Sequence, residues 1–157
     1  MKEVAEDLRR IVDREAQRLA AIPAQRAGSP VAPGKWSPKE IVGHLIDSAS
    51  NNHGRFVRAQ LTDDLTFQGY DQEAWVRTED YAGADWTAVV SLWRAFNFHI
   101  AHVIERIPET AATRPRARHN LDEIAWKTIP KSEPATLGYF VRDYVAHLNH
   151  HLAQIPS

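Results

Sequence analysis

Four long stretches of this chain repeat their apolar residues every three or four positions, and no stretch alternates convincingly with a period of two. That spacing is the one an α-helix needs to bury a single face. The first stretch runs from about Lys2 to Ile22, with Leu8, Ile11, Val12, Ala16, Leu19 and Ala20 on one stripe. The second runs from Ser37 to about Leu61 and carries its own start signal. Ser37 serves as N-cap, Pro38 takes the first helical position and Glu40 completes a capping box. The third extends from near Asp85 to just before Pro108, with Val89, Leu92, Trp93, Phe96, Ile100, Val103, Ile104 and Ile107 on its apolar face. The fourth spans about Thr136 to Ile155, through Leu137, Phe140, Val141, Tyr144, Val145, Leu148 and Leu152. Four amphipathic helices of about 20 residues, each roughly 30 Å long, predict an all-α four-helix bundle. The connections at Pro23–Gly34, Thr62–Gly83 and Thr110–Glu133 are long, so a minimal stack of short hairpins is not expected.

A chain of 157 residues is expected to form one domain over residues 1–157 and to bury a core without staples. Its net charge of −1 gives no reason to expect a nucleic-acid or anionic-membrane partner. The absence of cysteine excludes a disulfide framework, a cysteine nucleophile and an iron–sulfur cluster. A transition metal would have to be held by histidine, carboxylate or an exogenous ligand. The charged start Met1-Lys2-Glu3-Val4-Ala5-Glu6-Asp7 has no apolar core of a secretory signal, and no apolar run spans a membrane. A cytoplasmic location is expected.

The chemistry is carried by histidines. His147 and His151 lie four apart in the last helical segment, which puts them on one face, and His44 lies in the second segment. Two imidazoles so placed can hold one metal ion, and a third from a neighbouring helix leaves a position open for chemistry. The spacing alone is weak evidence, because eight histidines produce such pairs by chance. Helical phasing adds to it. His147 and His151 fall beside Phe140, Tyr144 and Ile155 on the inward edge, whereas His150 points outward. His44 shares a face with Ser48, Asn51 and Arg55, beside the apolar stripe of Ile41, Val42, Leu45, Ala49 and Phe56. That polar face is either the lining of a cavity or a solvated helix edge. His99 and His102, three apart, are either a second site or helix surface. His53 lies outside the His44 stripe, and His119 sits in a basic loop as a mobile lid residue or without a role.

The run Pro33-Gly34-Lys35-Trp36-Ser37-Pro38-Lys39-Glu40, then His44-Leu45-Ile46-Asp47-Ser48, resembles the second helix of the DinB-like superfamily, in particular its YfiT-like branch of candidate metal-dependent hydrolases and bacillithiol S-transferases. The likeness continues through Asn51, Arg55 and Phe56 and through Tyr70-Asp71-Gln72-Glu73-Ala74-Trp75, and closes on Tyr144, His147, His150 and His151. It covers most of the chain from Gly34 onward. It implies a bundle that binds one divalent metal, nickel or zinc, through His44, His147 and His151, and a homodimer; the five tryptophans would supply an apolar interface. Gln154 stands where this branch often carries a further histidine, and Arg114 to His119 match nothing in it.

A three-histidine site with an open position would acidify water for hydrolysis. Equally, it would bind a small thiol as thiolate, a nucleophile that this cysteine-free chain lacks. Transfer of a low-molecular-weight thiol to an electrophile is the leading expectation. In it Arg55 holds a carboxylate of the substrate, Asn51 hydrogen-bonds its amides and Asp47 orients His44. A hydrolase, a metal-binding stress-response protein without turnover, and a bundle with structural histidines are the alternatives.

Overall fold

Ser37 opens the helix that the capping signal predicts. Its side chain accepts from the Glu40 amide, and the Glu40 carboxylate accepts from the Ser37 amide at 2.8 Å, which satisfies two of the donors a helix start leaves bare. The computed structural model describes residues 1–156. In chain order the helices are α1 (Lys2–Ala20), α2 (Ala24–Ala27), α3 (Pro38–Arg58), α4 (Gln72–Thr78), α5 (Trp86–Glu105), α6 (Glu109–Thr113), α7 (Leu121–Ile124) and α8 (Leu137–Leu152), with a single 3₁₀ turn at Tyr81–Gly83. The described residues contain no strand, only isolated bridges at Leu65–His119 and Arg116–Ala135.

The long helices form a four-helix bundle whose neighbours are not consecutive in the chain. Helix α1 packs on α5, α5 on α3, α3 on α8 and α8 back on α1. Thus α1 and α3 stand diagonally, as do α5 and α8. Two of the three long connections therefore cross the bundle, which is why short hairpin turns cannot serve. The segment between α5 and α8 holds α6, α7 and both partners of the Arg116–Ala135 bridge.

Each long helix contributes its predicted stripe to one core. Leu8, Val12 and Leu19 from α1, Ile41, Leu45 and Phe56 from α3, Trp93, Ile100 and Ile104 from α5, and Phe140 and Leu148 from α8 are all buried. The seam between α3 and α8 matters most for the site. Phe56 meets Phe140 and Tyr144 edge-on, each with ring centroids 5.7 Å apart. Such pairs contribute about 0.5–1.5 kcal/mol each beyond burial. The end of α8 is held from α1: Arg18 donates to the carbonyls of Leu152 and Ile155, both at 2.9 Å, and so satisfies bare C-terminal acceptors.

Three expectations need correction. Leu92, placed on the apolar face of the third helix, is 53% exposed, whereas Asn97, left off that face, is buried; its side-chain amide donates to the Trp93 carbonyl and accepts from the Tyr144 hydroxyl. His119 is no mobile lid. It is buried, its Nδ1 accepts from the Leu121 amide at 3.1 Å and its Nε2 lies 2.7 Å from the Glu133 carbonyl. The tryptophans do not collectively form a surface, because Trp86 and Trp93 belong to the core.

Candidate metal centre

His44 stands in the second turn of α3, and His147 and His151 stand in the last two turns of α8. The Phe56–Phe140–Tyr144 packing fixes the two helices at the separation that brings the rings together. The Nε2 atoms of His44 and His147 are 3.3 Å apart, and one ligand atom from each of the three histidines lies within 4.8 Å of the others. Two imidazole nitrogens bound at about 2.0–2.1 Å to a tetrahedral ion stand about 3.3–3.4 Å apart, so the His44–His147 spacing, which also fits an N–H···N hydrogen bond, is compatible with shared coordination. The donor set is three imidazoles with no thiolate, which suits a first-row transition metal such as zinc, copper, iron or nickel.

Electrostatics agree with that use. Burial, with the charge of His151 adding to it, pushes the His44 imidazole down to about 3. Burial and the neighbouring His151, His44 and His150 push His147 down to about 3. Burial and His150 bring His151 to about 4. All three are therefore neutral near pH 7, the state in which imidazole binds a cation. His44 Nδ1 and His151 Nδ1 are buried without a hydrogen-bond partner, so no neighbouring acceptor fixes which nitrogen of either ring carries its proton. His150 is exposed, as its phase on the helix predicts.

Two indoles close over the cluster. Trp36 lies tilted against the cluster, its ring centroid 5.2 Å from that of His44 and 6.5 Å from that of His151. It is delivered by the turn at Gly34, whose φ of +70° is a conformation that glycine adopts readily. Trp126 lies 6.3 Å from His147 and 5.1 Å from His150. It is held by Asp143 on α8, whose two carboxylate oxygens accept from the Trp126 and Lys127 amides, each at 2.8 Å.

Beside His44 and His147 opens a cavity of about 250 Å³ lined by Ser48, Asn52, Arg55, Tyr70, Trp126, Asp143 and Tyr144. The polar face of α3 is thus a cavity lining along Ser48 and Arg55, both buried, and not a solvated edge. Arg55 donates to the Gln68 carbonyl at 2.7 Å and to Asn52 at 3.5 Å. Among the described residues no carboxylate pairs with it. Burial lowers its pKa, which records the unfavourable desolvation of an unpaired cation. Tyr70, also on the wall, is pushed up to about 12, by burial first and then by Asp47.

Asn51 does not line that cavity itself. It lines an adjoining groove that shares Arg55 and Tyr70 with the cavity wall and donates to the Asp47 carbonyl at 2.9 Å, while Asn52 faces the cavity. At about 100° per residue, Ser48, Asn52 and Arg55 advance to one side of His44 and Asn51 falls to the other. The cavity lies on the first side, which one helix alone does not disclose. Asp47 is buried three residues from His44, and its carboxylate accepts from the Tyr81 hydroxyl at 2.7 Å. Burial raises its pKa to about 6, with Tyr81 opposing and Glu79 reinforcing the shift. It makes no hydrogen bond to His44.

Residues 3–155 match the sequence profile of the DinB superfamily. Among curated proteins, the chain is similar to YfiT of Bacillus subtilis (strain 168), named as a candidate metal-dependent hydrolase. The two are 23% identical over 139 residues, 88% of this chain and 72% of YfiT. The solved structure of Bacillus subtilis YfiT, described as having an unusual four-helix bundle topology, superposes with a TM-score of 0.79 at 21% identity. That match covers 98% of this chain and 82% of the YfiT chain.

Proposed function

The chain belongs to the DinB superfamily, and we propose that it is a metal-dependent enzyme that uses His44, His147 and His151 to hold one zinc or nickel ion and works on small anionic molecules. The observation that carries this reading is the pairing of a three-histidine cluster with a buried, carboxylate-free Arg55 across one cavity. A divalent ion there supplies Lewis acidity that makes a small nucleophile reactive near pH 7. The protein's own groups do the rest. Arg55 grips a carboxylate, with its guanidinium already oriented by the Gln68 carbonyl and Asn52. Asn52 and Tyr70 offer polar contacts along the same wall. Trp36 and Trp126 keep bulk water from the histidines. Asp47 holds Tyr81 against α3 beside His44. Asn51, from the adjoining groove, contacts any part of a substrate that reaches past Arg55.

The finer reading is transfer of a low-molecular-weight, carboxylate-bearing thiol to an electrophile. It is supported by the lack of any cysteine in the chain and by the cation waiting for a carboxylate. The second reading is hydrolysis, which the name of the similar YfiT favours. The deciding experiment compares metal-loaded and chelator-stripped protein in reactions of a panel of thiols with a generic electrophile. Metal-dependent acceleration with carboxylate-bearing thiols, lost more for these than for uncharged thiols in Arg55→Ala, establishes the transferase. No acceleration with any thiol removes it and leaves hydrolysis.

We also propose a homodimer in the cytoplasm. Exposed Leu61 (80%) and Leu92 (53%) are apolar side chains that a contact between copies would cover, and no helix of the described residues is long and apolar enough to cross a membrane. A light-scattering mass at the 17.8 kDa monomer across micromolar concentrations would remove the dimer.

A further inference from the structure

We propose that His53 on α3 and His99 on α5 form a second, weaker transition-metal site that ties these two helices together on the outside of the bundle. It goes beyond the three-histidine centre and does not depend on it. The Nε2 atoms of the two rings are 3.2 Å apart, with ring centroids 5.0 Å apart. Two nitrogens sharing one ion stand about 3.3–3.4 Å apart in a tetrahedral zinc site. The spacing, that of an N–H···N hydrogen bond when no metal is bound, is within about 0.2 Å of coordination and is reached across two helices and 46 positions of sequence.

The rings do not meet because they are squeezed into a core. His99 is exposed and His53 half-buried, so their approach is not imposed by dense packing around both. Without a metal only one of the two Nε2 atoms can carry the shared proton, and the other must accept it. With a metal, both Nε2 lone pairs bind it and both ring protons reside on Nδ1. Phe96 flanks His53 at 5.8 Å and limits how far that ring can swing. Burial and the neighbouring His99 lower the pKa of His53, which keeps it available as a neutral ligand.

His102, one turn further along α5, stacks on His99 at 6.4 Å. Its Nε2 already accepts from the Arg106 guanidinium at 3.1 Å. It is thus committed to another partner, and the site has two protein ligands with its remaining positions open to water. Two imidazoles on an exposed face bind more weakly than three in a cavity. They favour copper over nickel and zinc by the usual order of divalent affinities.

Calorimetric titration of chelator-stripped full-length protein with zinc, repeated with copper, tests this. Wild type should show a tight step and a weak step, the weak one stronger with copper. His53→Ala and His99→Ala should each weaken the second step by at least about tenfold, about 1.4 kcal/mol, and leave the first. His102→Ala should leave both. His147→Ala should lose the tight step and keep the weak one, so failure of the three-histidine reading is seen separately. These His53, His99 and His102 changes lie on the surface, and circular dichroism checks that the bundle persists. Excess copper should also raise the melting temperature of wild type more than that of His53→Ala, because a ligand bound only by the folded chain stabilises it. A second step that is absent up to millimolar metal, that persists unchanged in both His53→Ala and His99→Ala, or that His102→Ala also removes, overturns the assignment.

Discussion

Gly43 sits in the second turn of α3, one residue before His44, and a methyl group there would fall within the ring of Tyr81. In an exposed helix interior, Gly→Ala stabilises by about 0.8–1 kcal/mol. Here the sign should reverse. Forcing an extra carbon into an occupied space costs about 1–3 kcal/mol. Displacing Tyr81 also breaks its 2.7 Å hydrogen bond to Asp47 and leaves a buried carboxylate oxygen bare, a further cost of about 1–3 kcal/mol. Against a helix gain of about 1 kcal/mol, Gly43→Ala should destabilise by roughly 3 kcal/mol, or about 6–12 °C in a domain of this size. Urea denaturation of wild type, Gly43→Ala, Tyr81→Ala and the double variant tests the origin of the loss. Removing the ring vacates the space, so in the Tyr81→Ala background Gly43→Ala should become favourable by about 1 kcal/mol. Equal destabilisation in both backgrounds, or a neutral effect in wild type, would show that the close approach to Tyr81 does not govern this glycine.

Other expectations concern the site. Chelator-stripped protein should lose stability between about pH 6.5 and 4, because His44, His147 and His151 have folded pKa values of about 3 to 4, so the unfolded chain gains protons there that the folded chain refuses. Each imidazole contributes on the order of 1.4 kcal/mol per pH unit. Asp47 and Asp143, both raised by burial, oppose part of the loss, so a net slope of roughly 1.4–3 kcal/mol per unit is expected. Denaturation midpoints that stay flat from pH 7 to 5 would contradict it. Asp143→Asn should destabilise by about 1–3 kcal/mol, since an amide offers one acceptor where the Trp126 and Lys127 amides need two; an unchanged urea midpoint would exclude that role. Elemental analysis should find metal retained in His150→Ala and lost in His151→Ala, and equal loss in both would refute the helical phasing.

The parts of this structure governed by short-range rules were legible in the sequence. Periodicity located all four long helices, Ser37-Pro38-Lys39-Glu40 marked the start of α3, and the four-residue step separated His147 and His151 from His150. What stayed hidden depends on partners far along the chain. Arg116 is buried because it donates to the Ala59 carbonyl 57 positions away, and His119 because its ring bridges Leu121 and Glu133. No periodicity encodes either contact. The choice between Asn51 and Asn52 turns on which side of α3 faces α8, and that follows from the diagonal placement of α1 and α3. Asn97 gave a signal in retrospect: a polar residue one position from an apolar stripe, able to reach Tyr144 on a helix it barely touches.

The two indoles packed against the histidines make the centre its own optical reporter. Trp36 and Trp126 lie within 6.5 Å of the cluster, whereas Trp86 and Trp93 are committed to the core, Trp86 by its bond to the Leu19 carbonyl. An open-shell ion such as nickel or copper, held by rings in contact with an indole, quenches that indole's emission. Filled-shell zinc does so far less. Part of the intrinsic fluorescence should therefore fall on nickel loading and return on exchange for zinc, with the core tryptophans and the more exposed Trp75 as background. Metal uptake, replacement and release can then be followed in real time on unlabelled protein.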